Sequence, residues 1–244
     1  MMIRRLEESV PVCILAGGLG MRLRPLTENF PKPMLPVSGR PFLHLLMSRL
    51  AKEGFDHFVL AVSYRWESIR DYFGDGSLFG WRIDYAVEEE PLGTGGAVLN
   101  AFEHMGPRAI VLNGDTFMPL NWRAMLQQHV HADLPATMAL SYQADGARYG
   151  QVRYRDARVT HFVEKTAQCG SGWINAGCYV VEKALLQDRR LGEKFSMERD
   201  VFPQMLGRIG AYPSTGHFTD IGTFESLDAF QRQVRSVLAS EVDV

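Results

Sequence analysis

Short apolar runs alternate with amphipathic stretches through the first half of the chain, and the two kinds of segment differ in period. Pro11 to Ala16 (PVCILA), His57 to Ser63 (HFVLAVS) and Arg108 to Asp115 (RAIVLNGD) are near-continuous apolar runs, the pattern of strands buried on both faces. Pro41 opens PFLHLLMSRLAKEGF, in which positions 42, 43, 46, 47 and 50 share one face of a helix that stops at Gly54. Trp66 to Phe73 reads as a short helix ended by Gly74-Asp75-Gly76, Arg82 to Glu88 (RIDYAVE) as a strand, and Gly95 to Met105 (GGAVLNAFEHM) as a further helix. This βαβαβαβ order predicts an α/β fold: a Rossmann-like, doubly wound sheet, mixed but mainly parallel and flanked by helices. Ligands of such a sheet lie beyond the carboxyl ends of its strands.

The second half has another rhythm. Strand-like runs at 135–142, 149–155, 158–163 and 173–181 follow one another with little helical material between them, which predicts an antiparallel or mixed, β-rich extension. Thr223 to Ala239 then reads as a closing helix behind a Thr cap, with Phe224, Leu227, Phe230, Val234 and Leu238 on one face. The expected organisation is one domain over 1–244, divided into a nucleotide-type half to about residue 120, a second half over about 121–222 and a C-terminal helix over 223–244. There is no internal repeat and no hexapeptide β-helix pattern.

Between the first strand and the first helix, Gly17 to Arg40 shows no regular period, and a compact domain rarely holds more than about 12 to 15 structureless residues unless they bind something. Gly17, Gly18 and Gly20 free backbone N–H groups to face an anion, while Arg22 and Lys32 add side-chain charge. Pro25, Pro31, Pro33 and Pro36 stiffen the stretch, which speaks against a mobile loop of solvated basic residues. Neither common phosphate fingerprint fits: Gly18-Leu19-Gly20-Met21-Arg22-Leu23 lacks the third glycine of the dinucleotide motif, and no GK[ST] follows.

Composition narrows the ligand. With 244 residues, 46% hydrophobic and 22% charged, the chain can bury one substantial core. A formal net charge of -2 gives no global attraction to nucleic acid or an anionic membrane, so an anionic ligand must be held by a local cluster. Cys13, Cys169 and Cys178 are odd in number and show no CxxC spacing, so they read as buried reduced thiols. No apolar segment follows MMIRRLEES and no run reaches the roughly 18 apolar residues of a membrane span, so the expectation is a cytoplasmic protein with neither nucleic acid nor membrane as partner. His129 and His131, two apart on a helix, do not share a face and read as structural.

GGLGMRLRPLTENFPKPMLPVSGRPF, from Gly17 to Phe42, resembles the GGxGTRLxPLTxxxPKPMLPVxGKP signature of the sugar-1-phosphate nucleotidyltransferases, the nucleoside-diphosphate-sugar pyrophosphorylases. The likeness covers nearly the whole chain: EEEPLGTGGA (88–97), LNGDTF (112–117), RYG (148–150), VEK (163–165), INAGCYVV (174–181), FSMERDVFP (195–203) and FTDIGT (218–223) recur in the family's order. Within the family the set most resembles the short D-glycero-α-D-manno-heptose 1-phosphate guanylyltransferases. Met21 departs from the usual Thr or Ser, which removes one hydroxyl near the phosphates and leaves the backbone N–H.

The resemblance implies attack of a sugar 1-phosphate oxygen on the α-phosphorus of a nucleoside triphosphate, GTP being favoured. Such chemistry needs alignment of two polyanions and transition-state stabilisation rather than a general base, in keeping with the lack of a Ser/His/Asp set. By the same resemblance Arg22 and Lys32 are the catalytic cations, and Leu15, Ala16, Gly17, Gly18, Glu88, Gly93 and Thr94 hold the nucleotide. Tyr149, Gly150, Glu164, Lys165 and Asn175 hold the sugar phosphate, and Asp115 and Asp220 hold Mg²⁺, a hard cation that takes one or two carboxylates beside substrate phosphates. Glu88 stands where thymidylyl- and uridylyl-transferring relatives usually carry Gln; an acceptor-only carboxylate suits the adjacent N1–H and N2–H₂ donors of guanine. Mannose 1-phosphate or a UTP- or CTP-using reaction, and a non-catalytic sugar-nucleotide sensor, remain as alternatives, and a homo-oligomer is compatible with the sequence.

Overall fold

The computed structural model describes residues 10–18, 20–28, 30–144, 149–163 and 170–242. The chain runs through β1 (Val12–Leu15), a small hairpin of β2 (Pro36–Val37) and β3 (Arg40–Pro41), α1 (Phe42–Lys52), β4 (His57–Val62), α2 (Glu67–Phe73), β5 (Arg82–Val87), α3 (Gly93–Ala101) and β6 (Arg108–Asn113). It continues through β7 (Thr116–Phe117), α4 (Trp122–Ala132), β8 (Ala136–Gln143), β9 (Gln151–Arg155), β10 (Arg158–Val163), β11 (Gly172–Glu182), β12 (Ile209–Ser214), β13 (Thr219–Asp220) and α5 (Phe224–Val242).

One sheet carries the order β5-β4-β1-β6-β11-β8-β12-β10-β9. Successive side chains of a strand point to opposite faces, and here both faces are buried. Val12, Ile14, Phe58, Leu60, Ile110 and Leu112 pack into one core with α1, α2, α4 and α5. Cys13, Val59, Ala61, Ala109 and Val111 pack into the other with α3 and the 195–202 segment. The near-continuous apolar runs are thus two interleaved core sets, one for each face.

The parallel pairings are β1 with β4, β1 with β6, β4 with β5, and β12 with β8. All pairings of β11, and those between β9, β10 and β12, are antiparallel. The expectation of a mainly parallel sheet is therefore corrected: it holds for the first half, whereas the second half is the mixed extension expected there, with antiparallel pairings of β9, β10 and β11 beside the parallel β12–β8 pair. Ile174 of β11 also pairs with Gln151 of β9, so the last five strands in the order curl back on themselves.

The opening stretch is pinned rather than mobile. Leu23 N–H and Thr27 Oγ1–H both donate to Gly20 O at 2.9 Å, and Leu23, Leu35 and Val37 are buried in the core. Two single 3₁₀ turns, Met21–Leu23 and Lys32–Met34, interrupt it. Helix α4 precedes the run of strands and carries His129 and His131, the two histidines expected on a helix. Asn121 caps it by accepting Ala124 N–H at 3.0 Å, and its inner face is Trp122, Met125, Leu126 and His129. His129 is 1% exposed; its Nε2 meets Glu182 Oε1 at 3.0 Å and its Nδ1 meets Thr137 Oγ1 at 2.9 Å. A carboxylate only accepts, so Nε2 donates to Glu182 and the histidine works as a bracing side chain. Thr223 caps α5, its Oγ1 accepting Ser226 N–H at 3.3 Å while Thr223 N–H donates to Ser226 Oγ at 3.1 Å. Cys13 and Cys178 are buried free thiols, and Cys169 lies outside the described residues. Among the described residues no helix is long and apolar enough to cross a membrane.

Candidate active site

Strand order fixes where a ligand goes. The chain leaves β1 for β4 and β5 on one side and returns to β6 on the other, so the loops after β1 and β6 diverge and open a crevice at the strands' carboxyl ends. The two loops touch at their roots, where Gly114 N–H donates to Leu15 O at 2.9 Å. A Cβ at Gly114 would stand 2.6 Å from that same oxygen, so this contact requires glycine.

Two clefts flank that contact. The first, of about 330 Å³, is lined by Leu15, Gly17, Gly18, Lys32, Ser63, Glu88, Pro91, Gly93, Thr94, Ala97, Asn113, Gly114 and Asp115. Ser63 Oγ–H donates to Gly17 O at 2.8 Å and holds the glycine turn in place. Ala16 is buried directly behind that turn. Glu88 is only 9% exposed, in contrast to its exposed neighbours Glu89 and Glu90. Its Oε2 accepts Leu92 N–H at 2.8 Å; burial pushes its carboxyl above the ordinary glutamate range, against that hydrogen bond. Part of the start of α3 is already engaged. Gly95 and Gly96 N–H donate to Phe195 O at 3.0 and 3.3 Å, so these helix-end amides are satisfied by the chain itself.

The second cleft, of about 290 Å³, is lined by Arg22, Asn113, Asp115, Thr116, Tyr149, Gly150, Phe162, Asn175, Ala176, Gly177, Ser196, Glu198, Phe218 and Asp220. A bulge in β11 between Asn175 and Tyr179 aims this wall, with Gly177 at φ +67. A Cβ at Gly177 would also run into the Asn113 amide. Asn175 Oδ1 accepts Gly177 N–H at 2.9 Å and Nδ2 donates to Tyr179 Oη at 2.6 Å, which locks the side chain. Asn175 N–H donates to Gly150 O at 3.2 Å and ties the INAG and YG segments together.

Asn113 and Asp115 line both clefts. At this junction Lys32 Nζ donates to Asp115 Oδ2 at 2.6 Å. The Lys32 side chain is 9% exposed and that of Asp115 37%. Asp220 reaches the same place through the β7–β13 pairing, in which Asp220 faces Thr116, and through Ile221 N–H donating to Asp115 O at 2.9 Å. Gly222 N–H donates to Asp220 Oδ1 at 2.7 Å, and Tyr149 O–H donates to Oδ2. A Cβ at Gly222 would lie 2.5 Å from Asp220 Oδ1 and 3.4 Å from Arg22 Nη2, which puts that guanidinium beside the carboxylate.

The fold thus brings Leu15, Gly17, Gly18, Lys32, Glu88, Gly93, Thr94 and Asp115 to one cleft and Arg22, Tyr149, Gly150, Asn175, Asp115 and Asp220 to the other. Arg22 faces the second cleft, on the side of the junction away from Glu88. Glu164 and Lys165 lie outside the described residues. Sequence reasoning missed Ser63, Asn113, Ser196 and Glu198. Asn113 precedes the Asp115 strand end, and Ser196 and Glu198 sit in FSMERD, which resembled a family segment without a role of its own.

A Rossmann-type crevice that ends in lysine, arginine and two aspartates belongs to α/β proteins that bind nucleotide phosphates. The chain is a member of the nucleotidyl transferase family, whose model matches residues 12–236. It is 37% identical over 225 residues to the D-glycero-alpha-D-manno-heptose 1-phosphate guanylyltransferase of Aneurinibacillus thermoaerophilus, covering 91% of this chain and 97% of that protein. It is 40% identical over 222 residues to the mannose-1-phosphate guanylyltransferase of Mycobacterium tuberculosis, covering 88% of this chain but 62% of that protein. The crystal structure of HddC from Yersinia pseudotuberculosis complexed with GMP-PN superposes with a TM-score of 0.82 at 34% identity, over 92% of this chain and 99% of that one.

Proposed function

We propose that the protein transfers GMP from GTP to a sugar 1-phosphate, with D-glycero-α-D-manno-heptose 1-phosphate as acceptor, giving the GDP-sugar and pyrophosphate. The observation that carries this reading is the junction: ligands seated in the two clefts meet at Asp115 beside Lys32. The heptose relative, matched over nearly its whole length, supports the acceptor.

The residues suit the chemistry. With a second phosphate pKa near 6, a sugar 1-phosphate is largely dianionic at neutral pH and attacks without a general base. Its oxygen bonds to the α-phosphorus as the bond to the bridging oxygen of pyrophosphate breaks, so the protein's task is in-line alignment and charge neutralisation. Lys32, in the first cleft and bonded to the shared Asp115, neutralises the α-phosphoryl group, and Arg22 serves the acceptor phosphate on the other side. Glu88 reads guanine: it lines the cleft, and its carboxylate has acceptor capacity beyond the one bond from Leu92 N–H to Oε2, which leaves acceptors for N1–H and N2–H₂.

Asp115 and Asp220 fit Mg²⁺. Both are hard oxygen donors at one junction that already gathers cationic side chains, and among the described residues no third Asp, Glu, His or Cys joins them, as suits a metal completed by phosphate and water. When bound, Mg²⁺ offsets phosphate charge and acts as a Lewis acid. The reading is tested with a matrix of four nucleoside triphosphates against several sugar 1-phosphates, following pyrophosphate release. GTP with the heptose 1-phosphate is expected to give the highest kcat/KM. The Mycobacterium relative favours mannose 1-phosphate as a second reading, which the same matrix separates; absence of pyrophosphate release with every pair contradicts catalysis.

A further inference from the structure

The wall between the clefts holds a carboxylate to which neither the cations nor the metal give a role. Glu198 lies on a single π-helical turn, Met197–Val201, of the kind that recurs at functional sites. Its Oε2 accepts Thr94 Oγ1–H at 2.6 Å and Ser196 Oγ–H at 2.8 Å, which fills that oxygen. Its Oε1 receives Tyr179 O–H at 3.3 Å, a long bond that leaves acceptor capacity. Tyr179 is fully buried and is itself held by Asn175 Nδ2 at 2.6 Å, so the carboxylate is braced from three elements: α3, β11 and the π-turn. Glu198 forms no ion pair among the described residues, yet it lines the second cleft.

A half-buried carboxylate whose partners are all hydroxyls repels a phosphate and attracts further hydroxyl donors. Resting on the assignment of the second cleft to a sugar 1-phosphate, we infer that Glu198 is a specificity-determining residue: Oε1 accepts a hydroxyl of the sugar, while Thr94 and Ser196 fix Oε2 so that the accepting oxygen is preorganised. The negative charge also sets polarity along the cleft, with the hydroxyl-bearing part of the sugar at Glu198 and the phosphate at Arg22 and Lys32. Glu198→Gln keeps the shape and the Oε2 bonds but can present an N–H where the sugar offers O–H.

The test measures KM and kcat for wild type, Glu198→Gln and Glu198→Asp with the sugar 1-phosphate, and with a series of analogues each lacking one hydroxyl. GTP affinity and thermal melts of each variant report on the fold. Glu198→Gln is expected to raise the sugar KM about 10- to 100-fold, the range of a hydrogen bond to a charged group, with GTP affinity within about twofold. One deoxy analogue is expected to suffer about tenfold or more with wild type and about threefold or less with Glu198→Gln; Glu198→Asp, which keeps the charge, falls between. A structural brace alone would lower the melting temperature and weaken GTP and sugar alike, leaving the deoxy penalty unchanged, and that result overturns the inference. If wild type turns over no sugar 1-phosphate at all, the reading of the second cleft fails and this inference with it; normal wild-type turnover with unaffected variants removes the inference alone.

Discussion

The first cleft is walled largely by backbone and small residues and the second by projecting side chains, and the difference follows from the strands beneath them. At the ends of β1, β4 and β6, parallel strands release loops that approach one another closely, so Gly17, Gly18 and Gly114 form the floor and one buried carboxylate, Glu88, faces the ligand. The second cleft lies over the bulged antiparallel extension, where Tyr149, Asn175, Glu198 and Phe218 project from separate elements. A backbone wall suits what all nucleotides share, whereas a wall of side chains suits discrimination among sugars. Asp115 belongs to both, and the proposed reaction is centred on it.

The largest effect is expected where the clefts meet. Asp115→Ala and Asp220→Ala should each lower kcat by about 10²-fold or more, the scale of losing one preorganised electrostatic group. Asp220→Ala should move the melting temperature by only a few degrees, whereas Asp115→Ala strands the buried Lys32 ammonium and should cost about 1 to 3 kcal/mol of stability; near-normal turnover in either variant, or full activity in excess chelator, breaks the idea of a shared junction. Next comes the base. Glu88→Gln should shrink the GTP-over-UTP ratio in kcat/KM by about ten- to a hundredfold, chiefly by weakening GTP, while the sugar KM stays put.

The two cations sharpen the comparison further. As solvated loop charges, Arg22 and Lys32 would each contribute only about 0 to 1 kcal/mol to folding. That holds for exposed Arg22, but Lys32 is buried against Asp115. Lys32→Gln should therefore cost about 1 to 3 kcal/mol of stability beside its loss of turnover, and Arg22→Gln should lose turnover with little change in melting temperature. Paired melts and kinetics distinguish them.

The smallest effect is in pH. Burial raises the Glu88 carboxyl, so on acidification it takes up a proton earlier than a solvated glutamate and loses its acceptor-only character. GTP preference over UTP should fall as pH drops toward the carboxylate range, and should be flat with pH in Glu88→Gln. The stability sign is opposite: a raised folded-state pKa makes this group's contribution fullest below its unfolded pKa, and it is lost as pH rises through the folded value. Glu88→Gln should accordingly be neutral or slightly stabilising at pH 7 by thermal melt.

Much of the frame was legible because parallel strands buried on both faces leave apolar runs too short for an ordinary helix and bounded by glycine or turn residues, as in PVCILA and RAIVLN. The four strand runs of the second half fell close to β8, β9, β10 and β11, the first and last of them buried and β9 and β10 half-exposed. Of helix α4 only His129 and His131 were legible as helical; its inner face of Trp122, Met125, Leu126 and His129 includes a histidine, paired with Glu182, which lowers the apolar signal of that stripe. Strand direction was legible in outline, parallel for the first half and antiparallel or mixed for the second, but the order of the strands was not. The return of β12 alongside β8 and of β11 against β6 is set by connection geometry that hydropathy does not encode. At the site, Glu88 stood out through its position in EEEPLG, whereas Glu198 acquires meaning only when Thr94 and Tyr179, distant in sequence, converge on it.

The division of labour between the clefts is tested most directly by a double-variant cycle of Glu88→Gln and Asn175→Ala, with kcat/KM measured for GTP and UTP and for two sugar 1-phosphates. Sites more than about 7 to 10 Å apart without shared partners are expected to be additive within about 0.5 kcal/mol. The account predicts that Glu88→Gln alters the nucleotide ratio alone, that Asn175→Ala alters the sugar ratio alone, and that the double variant shows the product of the two. A change of the GTP-to-UTP ratio in Asn175→Ala, or of the sugar ratio in Glu88→Gln, would contradict it.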